Sequence, residues 1–168
     1  MSKVQILVSL AALQMVHVHG AEPPIQQGTP HPFVCSDYSA GKVFIVSAKG
    51  KAEWEYPAPN CNDLWILPNG NLLFTTGHGV KEVTREKELV FDYQSKSEIY
   101  ACQRLPDGNT VMTNWLGHGN IGKAPHVIEF TRDKKVVWTF SDHKTMKTIA
   151  SIQLCDVPGD TTKWEIKR

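Results

Sequence analysis

Leu64-Trp-Ile-Leu-Pro-Asn-Gly-Asn-Leu-Leu-Phe74 and Cys102-Gln-Arg-Leu-Pro-Asp-Gly-Asn-Thr-Val-Met112 are two copies of one pattern. Each places Leu-Pro-[Asn/Asp]-Gly-Asn between two β-rich arms. Proline presets φ and the Asn-Gly or Asp-Gly step accepts positive φ, so each copy reads as two strands joined by a tight turn. A weakened third copy is Ile152-Gln-Leu-Cys-Asp-Val-Pro-Gly159. Outward from these turns, three further segments align without a gap: Phe44 to Trp54, Lys81 to Phe91 and Ile128 to Trp138. Each has a polar centre and ends in an aromatic-x-aromatic step, Trp54/Tyr56, Phe91/Tyr93 and Trp138/Phe140, and Trp54, Phe91 and Trp138 are expected to be largely buried at equivalent positions. Alternating strand, polar turn, alternating strand is a β-hairpin.

One unit is therefore four strands, a to d, with the Asn-Gly turn between a and b and the hairpin made by c and d. The aromatic landmarks Trp54 and Phe91 are 37 residues apart, and Phe91 and Trp138 are 47 apart. A period near 40 with four strands per unit is the signature of a propeller blade. No segment after residue 20 sustains a 3.6-residue apolar pattern, which excludes a helical repeat. The expected fold is all-β, with β-propeller-type four-stranded blades and about three blades in total. Two units are complete. Strands c and d of another are expected at Lys42 to Val46 and Ala52 to Tyr56. Its strand a is expected at Thr148 to Leu154 and its b at Lys163 to Ile166, so that both chain ends close one blade. Three blades fall below the usual four to eight. A homo-oligomer completing the ring, a shortened propeller, and an open stack with exposed edges are the arrangements this leaves.

Leu-Pro-Asn-Gly-Asn and the outer strand Lys135-Val-Val-Trp-Thr-Phe140 resemble the repeats of secreted bacterial β-propellers of the PQQ-like (quinoprotein-like) type. The resemblance covers about residues 41 to 160. It implies the fold, and little of function, because propellers host unrelated activities. The chain departs from that group in length, in lacking the adjacent-cysteine pair of quinone dehydrogenases, and in lacking a histidine near the start of strand a, where related arylsulfotransferase-like propellers place a catalytic one. No cofactor is expected on these grounds.

The net charge of +1 on 168 residues leaves no electrostatic footprint for nucleic acid. Residues 1–20 run from Lys3 through an apolar stretch to Val18-His19-Gly20, the order of a secretory signal peptide. A linker is expected over 21–40 and the repeat domain over 41–168. The localisation read from this is secreted or periplasmic, with no transmembrane segment. The even set Cys35, Cys61, Cys102 and Cys155 permits two disulfides or buried free thiols.

Antiparallel succession puts the b–c and d–a connections, Gln94 to Glu98 expected among them, on one face. That face gathers Asp63, His78, Asn114, Trp115, His118, Lys123, His126 and His143, the candidate ligand-binding residues. Gly77-His78-Gly79 and Gly117-His118-Gly119 occupy the same connection in successive units, the second inside a long insertion. Histidine spacing does not preorganise a metal site, so none is expected. Nucleophile-elbow and phosphate-loop motifs are absent. The sequence therefore reads as a non-catalytic extracytoplasmic binding or scaffolding module for a glycan, peptide or small anion. The alternative is a shortened, inactive or active relative of a propeller hydrolase, lyase or sulfotransferase. The export reading has a direct check: protein recovered from the host's envelope or medium should begin near Ala21 on N-terminal sequencing, and cytosolic protein retaining Met1 would refute it.

Overall fold

A computed structural model of the protein describes residues 24–157, which form strands and loops with no helix. β1 (Phe33–Asp37), β2 (Lys42–Val46) and β3 (Ala52–Pro57) make an antiparallel three-stranded sheet. β4 (Leu64–Ile66), β5 (Leu72–Thr75), β6 (Gly77–Val83), β7 (Leu89–Arg104), β8 (Thr110–Trp115), β9 (Val127–Phe130) and β10 (Val136–Phe140) make a second antiparallel sheet in the order β10-β9-β8-β7-β6-β5-β4. This second sheet is two four-stranded blades that share β7. The first half of β7 is strand d of one blade, and the second half is strand a of the next. The fold is all-β and propeller-type, and its sheets do not close into a ring.

The turns repeat atom for atom because their chemistry is local. In the a–b turns, Leu67 and Leu105 receive the N–H of Gly70 and Gly108, whose φ values are 85° and 89°. Asn71 and Asn109 N–H donate to the side chains of Asn69 and Asp107. All three c–d hairpins end in one four-residue turn, started by Ser47, Thr84 or Thr131. Each hydroxyl accepts the N–H of Lys51, Glu88 or Lys135, and the positive φ falls on Gly50, Lys87 or Lys134. Each hairpin also carries a bulge that skips one residue, Glu53, Val90 or Val137. The skip gives the aromatic landmark the same cross-strand partner position, Ile45↔Trp54, Glu82↔Phe91 and Glu129↔Trp138.

Blades bury their faces against one another. Val43, Ile45, Trp54 and Tyr56 of the three-stranded sheet pack on Leu72, Phe74 and Val83. Leu67, Leu73, Val80 and Phe91 of the middle blade pack on Cys102, Met112 and Phe130 of the last. A buried ionic knot locks this second interface. Glu82, 2% exposed, accepts hydrogen bonds from Arg104 (2.9 Å), Arg132 (2.7 Å) and Asn71 (2.8 Å). Both guanidinium groups lie over the Phe91 ring, at 4.9 and 5.3 Å. Burial works to raise the Glu82 carboxyl, but the bonds from Asn71 and Arg132 and the charges of both arginines outweigh it and hold the pKa below the ordinary value.

Four expectations change. Phe33–Asp37, within the stretch read as a linker, is β1; it is strand b of the first blade, paired with β2 along its whole length. Gln94 to Glu98 is extended backbone inside β7 rather than a loop, because Ser95 ties back to Asn114 and to the N–H of Ser97. Thr148 to Leu154 is not strand a. It crosses the far face of the last blade irregularly, where Ile149, Ile152 and Leu154 cover Leu105, Val111 and Val127. The strand expected at 163–166 and the signal at 1–20 lie outside the described residues. Trp138 is 43% exposed where its repeat partner Phe91 is 6% exposed, because no arginine among the described residues lies over it as Arg104 and Arg132 lie over Phe91. Cys35, Cys61 and Cys155 are free thiols, and Cys61 and Cys102 are buried. Burial pushes the Cys61 thiol up to about 11, which leaves it unreactive.

Removing one member of a buried ion cluster strands the others, at about 3–5 kcal/mol. Glu82→Ala should lower the unfolding free energy by about that amount in urea titrations. The depressed Glu82 pKa stabilises the fold above the unfolded-state value of about 4.3 and is lost as pH falls through the folded value. Glu82→Gln should therefore flatten the acid limb of the stability curve. Phe91→Ala should cost about 3–5 kcal/mol, and Trp138→Ala clearly less.

Candidate functional site

The connections at the starts of strands a and between strands b and c enclose a polar cavity of about 240 Å³. Its lining is Tyr38, Asn60, Asn62, Gly77, His78, Glu98 and Tyr100. Each successive blade contributes. Tyr38 comes from the β1–β2 turn, Asn60 and Asn62 precede β4, Gly77 and His78 open β6, and Glu98 and Tyr100 stand two apart on β7. Strand alternation puts these last two on one face.

Backbone constraints explain the glycines. Gly77 has φ 75°, and a Cβ there would meet Asn60 at 3.0 Å. Asn60 itself has φ 57°. A Cβ on Gly79 would stand 2.4 Å from the Tyr93 carbonyl. A Cβ on Gly117 would stand 2.1 Å from the Trp115 ring. Gly77, Gly79 and Gly117 are thus packing requirements of the protein itself, while Gly119, with φ 79°, has open space around its Cβ position.

Behind the cavity stands an aromatic and polar wall. Trp115 stacks on Tyr100 with centroids 5.0 Å apart and planes 3° apart. His118 meets Trp115 edge-on at 4.9 Å, and its Nδ1 is 3.2 Å from Glu98 Oε1. Burial, and then the Glu98 charge, raise the Tyr100 phenol pKa. No arginine or lysine lines the cavity.

Of the sequence-derived candidates, His78 lines the cavity directly. Trp115 and His118 reach it through Tyr100 and Glu98. Asn114 is buried, donates to Pro125 O (2.8 Å) and accepts from Ser95, so it holds the insertion to β7. Lys123 is exposed at the insertion's tip, its N–H on Asn120 O. Asp63 is buried and joins two blades: its Oδ2 accepts from Cys102 N–H at 3.0 Å and faces Trp65 Nε1 at 3.3 Å. His126 is fully buried, accepts from Asp142 N–H and lies 4.5 Å from the His143 ring. None of these last five residues lines the cavity. Among the described residues no group of three or more histidine, cysteine or acidic side chains could hold a metal ion. No helix among them is long and apolar enough to cross a membrane.

Sequence reasoning passed over Glu98, Tyr100 and Tyr38. The i, i+2 spacing of the first two was a usable signal. Tyr38 became placeable only once β1 made its turn a b–c connection like that of His78.

Neither a family model nor a curated protein matches the chain. Among solved structures, a protein of unknown function from Bacteroides caccae is similar with a TM-score of 0.62 and 19% identity, over 71% of this chain and 49% of that one. Streptogramin B lyase is similar with a TM-score of 0.50 and 15% identity, over 63% of this chain and 36% of the lyase. A Bacteroides fragilis protein taken to be exported has a TM-score of 0.50 and 7% identity, over 69% of this chain and 36% of that one. The chain spans about half the length of the first and about a third of the others. These likenesses are to propeller-type folds, and at such identities they establish the fold alone.

Because Glu98 contributes to the raised Tyr100 pKa, Glu98→Gln should bring the phenol back toward its ordinary value. Ultraviolet titration of the wild type and the variant, with Tyr100→Phe as the reference for assignment, reads this directly.

Proposed function

We propose that the chain is an extracytoplasmic binding module whose cavity takes a terminal sugar unit of a glycan. The observation that carries this is the lining. Tyr38 and Tyr100 supply aromatic surface, and Asn60, Asn62, His78 and Glu98 supply donors and acceptors around it. Such a mixture suits a ligand that is apolar on its ring faces and hydroxylated at its edge. Glu98 and the absence of a lining cation weigh against the small anion. The volume of about 240 Å³ suits one ring rather than an extended chain. The leader-like residues 1–20 support the extracytoplasmic placement, and the repeat motifs support kinship with PQQ-like propellers.

A shortened propeller enzyme is the second reading. Its support is the Glu98–His118 pair at 3.2 Å beside Tyr100, an arrangement able to pass a proton. The fold likeness to streptogramin B lyase adds an example of a lyase built on similar blades.

A glycan array followed by calorimetry tests the first reading. Tyr100→Ala and Asn62→Ala should each weaken binding of the best glycan at least tenfold. Asn69→Ala and Asp107→Ala, on the opposite turns, should leave it unchanged. Loss of binding in the turn variants with retention in the cavity variants would overturn the assignment. Release of product from the bound glycan that stops in Glu98→Gln would favour the enzyme.

A further inference from the structure

The Glu82 knot has a second copy that no arginine or lysine among the described residues fills. Glu129 and Trp138 are cross-strand partners on β9 and β10, as Glu82 and Phe91 are on β6 and β7. Asn109 Nδ2 donates to Glu129 Oε1 at 2.8 Å, as Asn71 Nδ2 donates to Glu82 Oε1 at 2.8 Å. In the first copy, Glu82 Oε2 and the Phe91 ring receive the guanidinium groups of Arg104 and Arg132 from the next blade. In the second copy, the corresponding carboxylate and ring border a cavity of about 390 Å³, lined by Glu129, Trp138, Leu154 and Asp156. No salt bridge among the described residues reaches Glu129.

We propose that this cavity is a binding site for an arginine side chain presented by a separate polypeptide. The chain's own interface shows what the receptor accepts: a planar cation that hydrogen-bonds a carboxylate edge while lying on an aromatic face. Arginine does both at once and sheds water more readily than lysine. Tryptophan is a stronger cation–π partner than the phenylalanine of the filled copy. Asp156 adds a second negative group. Leu154 gives an apolar wall held in place by its N–H on Gln103 Oε1 at 3.2 Å. A second copy of this chain is a poor source. The turn of its first blade equivalent to Thr131–Lys135 is Ser47–Lys51, which carries Ala48 where Arg132 stands. Among the described residues that blade also has no strand a to carry a counterpart of Arg104.

The test uses the full chain and a capped Gly-Arg-Gly peptide, with Gly-Lys-Gly and Gly-citrulline-Gly as controls. The readout is the Trp138 indole N–H signal in nuclear magnetic resonance, assigned with Trp138→Phe. The arginine peptide should shift this signal saturably. The lysine peptide should bind at least tenfold more weakly, and the uncharged citrulline peptide should give no shift. Glu129→Gln should weaken arginine binding at least tenfold while the unfolding midpoint stays in place. An equal response to citrulline, or a response indifferent to Glu129→Gln, overturns the proposal, as does no saturable shift in either the wild type or a Lys163→Gln/Arg168→Gln variant. Binding seen only in that variant keeps the guanidinium chemistry but assigns the cation to the chain's own end, overturning the separate source. Self-association abolished by Glu129→Gln overturns the source in favour of a second copy.

Discussion

A carboxylate at 2% exposure is unfavourable unless its charge and lone pairs are answered, and Glu82 is answered from three directions. Asn71 comes from the turn below it, Arg104 from the end of β7, and Arg132 from the hairpin turn of the following blade. These three approaches can coincide only when the two blades sit in one register. Hydrophobic packing of Leu73, Val80, Met112 and Phe130 supplies most of the driving force between the blades but tolerates sliding. The ionic knot does not. Phe91 lies beneath both guanidinium groups, so the aromatic landmark of the repeat is also the floor of the lock.

Two residues before Arg104 on β7 the constraint is met differently. Asp63 accepts the Cys102 N–H and Trp65 Nε1 donates to the Cys102 carbonyl at 2.7 Å, so strand a of one blade holds strand a of the next. β7 joins the first lock at Phe91 and Arg104 and the second at Cys102. Phe91 stands toward one end, and Glu98 and Tyr100 stand near the middle, facing the cavity. A cavity assembled from three blades keeps its shape because the strand that carries two of its walls is clamped on both sides. The same logic accounts for the buried Asn114 and Ser95, which fasten the long insertion to β7 and so set where Trp115 stacks.

The two ends of the blade stack are unequal. The outer face of the last blade repeats the apolar pattern that elsewhere receives a neighbour, and residues Ile149 to Val157 cover part of it with irregular chain. Irregular backbone shields apolar side chains without extending the sheet, so among the described residues Leu105, Val111 and Val127 are covered while Trp138 and Glu129 border a cavity.

Turns and hairpins were legible in the sequence because their determinants are local. Leu67-Pro-Asn-Gly-Asn71, Leu105-Pro-Asp-Gly-Asn109 and the hydroxyl-started turns at Ser47, Thr84 and Thr131 specify φ and hydrogen bonds within five residues. Two-residue alternation then gave the strands, and their period gave the blade. What lay beyond it was every property set by a neighbour distant in sequence. Phe91 and Trp138 hold equivalent places in the repeat, yet one is covered by arginines from the next blade and the other is not. Asp63 and His126 looked like loop-face polar residues and are buried, because contacts to Cys102 and Asp142 remove them from water. Glu98 and Tyr100 carry only their i, i+2 spacing, Tyr38 has no local mark of a site, and the three meet only when three blades stack. By itself the sequence determined the unit and its turns, since those follow from dihedral preference and short-range hydrogen bonds. Burial, the ionic lock and the cavity were decided by tertiary structure, since they depend on which surfaces the stacking of blades brings together.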